Sequence, residues 1–174
     1  MNRLKYTGKI YFLLWLSIIL VSPAKASELV PVTPECVYSS SLYHEVPLGL
    51  ILAIMAVEAG TVGEYSENSN KSRDNGPMQI NTIWEQEFLK KGITEVQLRN
   101  NGCLNVFAGS WILKKHINST NDIWKAVGNY HSKTPKRNKW YQEKIKTKLR
   151  SLNDYKKVLK KANGDLAFIG EPKL

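Results

Sequence analysis

The chain has 174 residues, 43% of them hydrophobic and 23% charged, and 25 Lys and Arg stand against 15 Asp and Glu for a formal charge of +10. That length supports one domain with a real core and requires no second one. Much of the basicity sits at the start: Arg3, Lys5, Lys9 and Lys25 precede every acidic residue, so removal of the first 26 residues lowers the charge to +6.

Residues 1–26 read as an export signal. Basic Met1 to Lys9 leads into the apolar run Ile10 to Val21, and Ala24-Lys25-Ala26 offers small residues around a cut. The run of about 12 residues falls short of the roughly 20 that a membrane-crossing helix needs, which favours cleavage. Lys25 inside the small-residue site keeps an uncleaved anchor open as an alternative. Either way the domain, residues 27–150 followed by a basic C-terminal helix and tail over 151–174, is expected in the periplasm.

No internal repeat and no Gly/Ser or Pro-rich linker interrupts the remainder, and sustained period-2 alternation is almost absent, so a mainly α domain is predicted. A first helix runs from Pro34 to about His44. A second starts at Pro47, a favourable first-turn proline, and reads PLGLILAIMAVE to a stop at Ala59-Gly60. It is apolar almost all round, which places it in the centre of the domain, and Glu58 is its one ionisable residue. The polar stretch TVGEYSENSNKSRDN, residues 61–75, reads as a loop or short hairpin.

After GPMQIN, a capping box from Thr82 to Glu85 opens a helix that closes near Gly92. Thr94 to Gln97 repeats that signature for a short helix ending at Gly102. Cys103 to Ile117 is strongly apolar, with Val106, Phe107, Ser110, Leu113 and Ile117 at helical spacing. Asn121 or Thr120 caps a helix through Trp124 to Tyr130. From Arg137 to about Ala162, Tyr141, Ile145, Leu149, Leu152, Tyr155 and Leu159 form one stripe among lysines, an amphipathic helix with a possible break near Asn153. Gly164 to Leu174 reads as a frayed tail.

Cys36 and Cys103 are the only cysteines, and in an exported chain an even count is most simply one disulfide, the alternative being two unrelated buried thiols. Neither has a second cysteine or a histidine at ligand spacing, and His44 and His116 have no acidic or cysteine partner at metal spacing, so no metal and no cofactor is expected. His131 can sit at a cleft or serve the structure. Trp84, Trp111, Trp124 and Trp140 suit core packing, with one available to stack on a sugar.

Desolvation at the end of a buried helix raises the pKa of a carboxylic acid and keeps it protonated near neutrality. Glu58 is therefore a candidate proton donor, the group that a glycosidic oxygen needs before it can leave. Taken alone, a structural glutamate that caps or salt-bridges a neighbour is the better reading, and it is the context that reverses this.

With GPMQIN and AVGNYHS added, the chain over residues 34–148 resembles the lysozyme-like soluble lytic transglycosylases, especially their small members accompanying type III secretion, type IV pilus and conjugation systems. The resemblance implies a lysozyme-like α+β fold with a minimal β-hairpin region. It implies peptidoglycan glycan strands as substrate and Glu58 as the acid, which later takes the proton of the muramic acid 6-hydroxyl so that a 1,6-anhydro ring closes without water. Gly76, Met78 and Gln79 match the segment lining the sugar cleft, and Tyr130 matches the tyrosine that helps hold the acid. Met78 and Ile80 can equally serve plain core packing.

Asp74 departs from the common transglycosylase pattern, which has a small neutral residue there. D-N-G-P-M-Q-I-N is similar instead to the D-x-G-x-x-Q-I-N of C-type lysozymes, whose aspartate is the second catalytic carboxylate. An ionised Asp74 beneath the sugar ring would stabilise an oxocarbenium-like transition state; its plain alternative is an Asx turn before Asn75-Gly76. A hydrolytic muramidase and a non-catalytic peptidoglycan-binding scaffold stay open as rival functions. The basic stretch Lys133 to Lys161 invites nucleic acid, which export removes as a partner, leaving a solvated face, stem-peptide carboxylates or a secretion, pilus or conjugation component. A monomer is expected.

Overall fold

The computed structural model describes residues 28–163, with side chains described through Asn153 and at Lys156. The expected signal over 1–26 and the tail from Gly164 lie outside the described residues. Seven helices and one small sheet follow in the order α1 (Pro34–His44), α2 (Leu48–Glu58), β1 (Tyr65–Glu67), β2 (Arg73–Asn75), β3 (Ile80–Asn81), α3 (Glu85–Leu89), α4 (Glu95–Asn100), α5 (Gly102–Thr120), α6 (Ile123–His131) and α7 (Pro135–Asn163). None of the described helices is long and apolar enough to cross a membrane.

The all-round apolar α2 lies where its composition sends it, between α1 and α7, with Ile51, Ala53 and Ile54 fully buried. Pro47 stands just outside this helix as its N-cap, and the chain leaves it through Ala59 in the left-handed region at φ 50°, one residue before the glycine expected to do so. α5 packs on α1, α4 and α6, while α7 lies across α6 and α2 and closes the core with Tyr141 and Ile145. Cys36 of α1 and Cys103 at the start of α5 form a disulfide with a Cα–Cα distance of 5.6 Å and a sequence separation of 67. Chain-entropy reasoning gives such a loop about 4 kcal/mol of stabilisation.

Residues 61–81 hold more order than a loop or a hairpin. β1, β2 and β3 form a three-stranded antiparallel sheet in sequence order, with Ser66 opposite Asp74 and Asp74 opposite Asn81. Strands of two and three residues are too short to leave an alternation pattern in the sequence. The sheet is tied to the helices by Arg73, whose guanidinium bridges both carboxylate oxygens of Glu95 in α4, at 2.7 and 2.5 Å.

Three expected boundaries shift. The box at Thr82 does not form: Asn81 caps a short 3-10 turn over Thr82–Trp84 by accepting from Ile83 N, and the Thr82 hydroxyl accepts from Arg73 N at 3.1 Å instead. Asp122 caps α6, because Asn121 is already used as the left-handed end of α5 at φ 53°. α7 is continuous past Asn153, and it crosses residue 150 without a break, with Leu152 still packed on the core.

Candidate active site

Glu58 is the last residue of α2, and Gly60 sets what it meets next. A Cβ at Gly60 would lie 2.0 Å from the Gly76 carbonyl oxygen and 2.4 Å from Gln79 Nε2, so only glycine lets the end of α2 rest on the turn between β2 and β3. That contact brings the acid beside the sheet. Tyr141, presented by α7 from the core, donates its hydroxyl to Glu58 Oε1 at 2.5 Å. Burial pushes the Glu58 carboxyl up to about 7; the Tyr141 hydrogen bond opposes that rise and the negative charge of Asp74 adds to it.

Asp74 occupies the centre of the sheet, and the register puts Ser66, Asp74 and Asn81 side by side on one face. Its carboxylate is held from both sides. Asn81 Nδ2 donates to Oδ1 at 2.7 Å and Asn68 Nδ2 donates to Oδ2 at 2.8 Å. Ser72 accepts from the same two amides, at 3.0 and 3.2 Å. Gln79 continues this polar wall: its Oε1 accepts from the Ser66 hydroxyl at 2.6 Å and its Nε2 donates to Gly76 O at 3.0 Å. Gln79 adopts φ 49°, a left-handed backbone rare for a residue with a side chain, and these two bonds help hold it there.

The turn carrying Gln79 is anchored from below. Asn105 of α5 is fully buried, accepts from Met78 N at 2.8 Å, and donates to Asn75 O at 2.8 Å and Leu98 O at 2.9 Å. Every hydrogen-bonding arm that matters is filled, which makes the amide a rigid peg. Gly76 sits directly over it at φ 66°, where a Cβ would come within 2.6 Å of Asn105 Nδ2.

Of the residues expected at the site, Glu58, Asp74 and Gln79 are brought together, and Gly76 supports them from the turn. Met78 is fully buried, so its side chain packs the core and does not line a cleft. Tyr130 is also placed differently from expectation: its hydroxyl donates to the Met78 carbonyl at 2.9 Å, and Tyr141 holds the acid. Burial, followed by the charges of Glu58 and Asp74, raises the Tyr130 phenol far above its ordinary range. His131 lies flat against Tyr141, with centroids 4.9 Å apart and planes 6° apart. Among the described residues no group of three or more His, Cys, Asp or Glu converges on a point where a metal could bind.

Sequence reasoning missed Tyr141, Asn68, Asn81 and Asn105. A signal existed for Tyr141, since a tyrosine on an apolar stripe carries a hydroxyl into the core and must find an acceptor there. The amides left none, because their roles depend on the strand register.

A protonatable glutamate ending a central helix, beside a small sheet that carries an amide-held aspartate, defines a lysozyme-like glycan-cleaving fold. Residues 35–153 match the transglycosylase SLT domain, and the chain belongs to that family as a lytic transglycosylase. It is 36% identical over 125 residues to the invasion protein IagB of Salmonella typhi, covering 69% of this chain and 78% of the relative. It is also similar to a peptidoglycan-binding-like protein of Escherichia coli O157:H7, at 31% over 125 residues with 67% and 71% covered. Protein IpgF of Shigella flexneri is 30% identical over 107 residues, with 60% and 70% covered.

Proposed function

We propose that the protein cleaves the β-1,4 bond between N-acetylmuramic acid and N-acetylglucosamine with Glu58 as the acid. The observation that carries this reading is the partly buried carboxyl of Glu58, raised to about 7 and aimed by Tyr141, beside a sheet that fixes Asp74. Glu58 gives its proton to the glycosidic oxygen as the bond to the anomeric carbon breaks. Asp74 stabilises the positive charge that develops on the sugar ring, and the polar wall of Ser66, Gln79 and Asn81 suits sugar hydroxyls. The Glu58 carboxylate then removes the proton of the muramic acid 6-hydroxyl, whose oxygen attacks the anomeric carbon and closes the 1,6-anhydro ring.

A second reading, a muramidase in which water replaces the 6-hydroxyl, is favoured by one observation: two amides hold the Asp74 carboxylate in place as a second acidic group would require. Mass spectrometry of muropeptides after digestion separates the two. Anhydro ends one water lighter support the transglycosylase, and hydrated reducing ends overturn it.

The biological setting belongs to the same proposal. Export by a cleaved signal over residues 1–26 would deliver a domain starting near Ser27 to the periplasm, where it opens the wall locally for a secretion, pilus or conjugation apparatus. The basic C-terminal segment and the likeness to an invasion protein support that setting. Pull-down from envelope extracts identifies the apparatus; recovery of none would leave the protein a general wall enzyme.

A further inference from the structure

His131, to which the proposed chemistry gives no part, stands at the corner where α6 turns into α7. Asn138 pins that corner: it is buried, its Nδ2 donates to Asn129 Oδ1 at 2.9 Å and to Ser132 O at 3.2 Å, and its Oδ1 accepts from Gln142 Nε2 at 2.6 Å. Gly128 lets the helices close on it, since a Cβ there would lie 2.2 Å from Asn138 Oδ1. With the corner fixed, His131 is laid on Tyr141, centroids 4.9 Å and planes 6° apart, and the Tyr130 ring stands 6.5 Å from Tyr141 at 17°. Trp140 stands 5.5 Å from the imidazole. Among the described residues the His131 side chain makes ring contacts and no hydrogen bond. Partial burial, then the charge of Arg137, holds the imidazole below its ordinary pKa with Asp74 opposing, so at neutral pH an uncharged ring lies on the phenol.

A phenol hydroxyl lies on the long axis of its ring, so its distance to an acceptor changes when the ring swings about the Cα–Cβ bond. A flat ring packed on the phenol resists that swing, and centroids roughly 4.5 to 7 Å apart are where offset stacking is favourable. We propose that His131 is a positioning residue, whose imidazole, laid flat on Tyr141, holds the phenol in the orientation from which it donates to Glu58. The proposal rests on the reading of Glu58 as the acid. It asks for a planar ring at position 131, not for a group that carries a proton.

The test is a set of substitutions assayed on soluble glycan strands. His131→Ala is expected to lower kcat by about threefold to tenfold, the size of one aromatic pair, and to leave KM within about twofold. His131→Phe keeps a flat ring without a titrating nitrogen and restores kcat to within about twofold of wild type. In a Tyr141→Phe background His131→Ala costs less than about twofold, because the hydroxyl that it positions is already gone. A Phe variant as slow as the Ala variant overturns the proposal and makes the imidazole nitrogens the working part. Full additivity with Tyr141→Phe, or a loss confined to KM, overturns it as well. Should His131→Ala not fold, His131→Leu, which has bulk and no planar ring, takes its place with the same expectations. Should wild-type protein cleave no strands, the reading of Glu58 fails, and titration of the Glu58 carboxyl followed by carbon NMR decides His131 by itself. The carboxyl pKa is expected to rise in His131→Ala, as it does when a donor to the carboxylate is lost, and to return in His131→Phe. An unmoved or lowered pKa in His131→Ala overturns the proposal.

Discussion

Tyr141 reaches Glu58 from 83 residues away and donates a hydrogen bond to the carboxyl that it helps to aim. A donor on a carboxylate favours the ionised form, so this bond works against the burial that raises Glu58. Tyr141→Phe keeps the packing of a side chain that is 1% exposed and removes only the hydroxyl. The limb of the pH–rate profile that reports loss of the acid's proton is expected to move to higher pH. The maximal rate should fall by roughly tenfold to a hundredfold as the acid loses its orientation. A profile unmoved in both respects would leave Tyr141 as packing alone.

Asp74 acts on the same acid with the opposite sign. Its negative charge helps to raise Glu58, so Asp74→Asn lowers the Glu58 pKa and moves that limb to lower pH. Loss of the anion beneath the developing oxocarbenium charge is expected to cost about a hundredfold in rate. Near wild-type wall degradation by folded Asp74→Asn protein would reduce Asp74 to a post for the Asn68 and Asn81 amides.

Tyr130→Phe separates the two tyrosines. Its hydroxyl serves the Met78 carbonyl, so the substitution leaves that carbonyl unpaired and costs about 1 to 2 kcal/mol. Thermal unfolding should fall by a few degrees, at roughly 2 to 4 °C per kcal/mol for a chain of this size. The pH–rate profile should stay in place. A shift like that of Tyr141→Phe would place Tyr130 on the acid after all.

The helical part of the fold was readable because α2 and α5 bury themselves by composition and α7 by its stripe. Glu58 was readable for the same reason, as the one ionisable group on an apolar helix. The sheet was not, since its strands are short and its pairing is set by side chains such as Arg73 and Asn105 that reach across to α4 and α5. Tyr130 and Tyr141 illustrate the limit: both are aromatic residues on helices next to the site, and only the crossing of α7 over α2 decides which hydroxyl meets the acid.

Glu58→Gln tests catalysis and stability together, because a partly buried acid poised for proton transfer destabilises the fold once it ionises. With a folded pKa of about 7 against the ordinary 4.5, the folded state holds a proton between those values that the unfolded chain has released. The stabilising effect of that proton is complete below 4.5, declines as pH rises, and is gone above 7. Glutamine does not titrate and still accepts from Tyr141, so the variant should match wild type near pH 4 and exceed it near pH 8. The gain is expected to be about 2 to 3 kcal/mol, allowing for some solvent contact, or roughly 5 to 10 °C in Tm. Calorimetry at the two pH values measures it, alongside wall clearing, which should be lost while sacculus binding remains. Undiminished clearing would remove Glu58 as the acid. An equal Tm difference at both pH values would show that the carboxyl is not held protonated by burial.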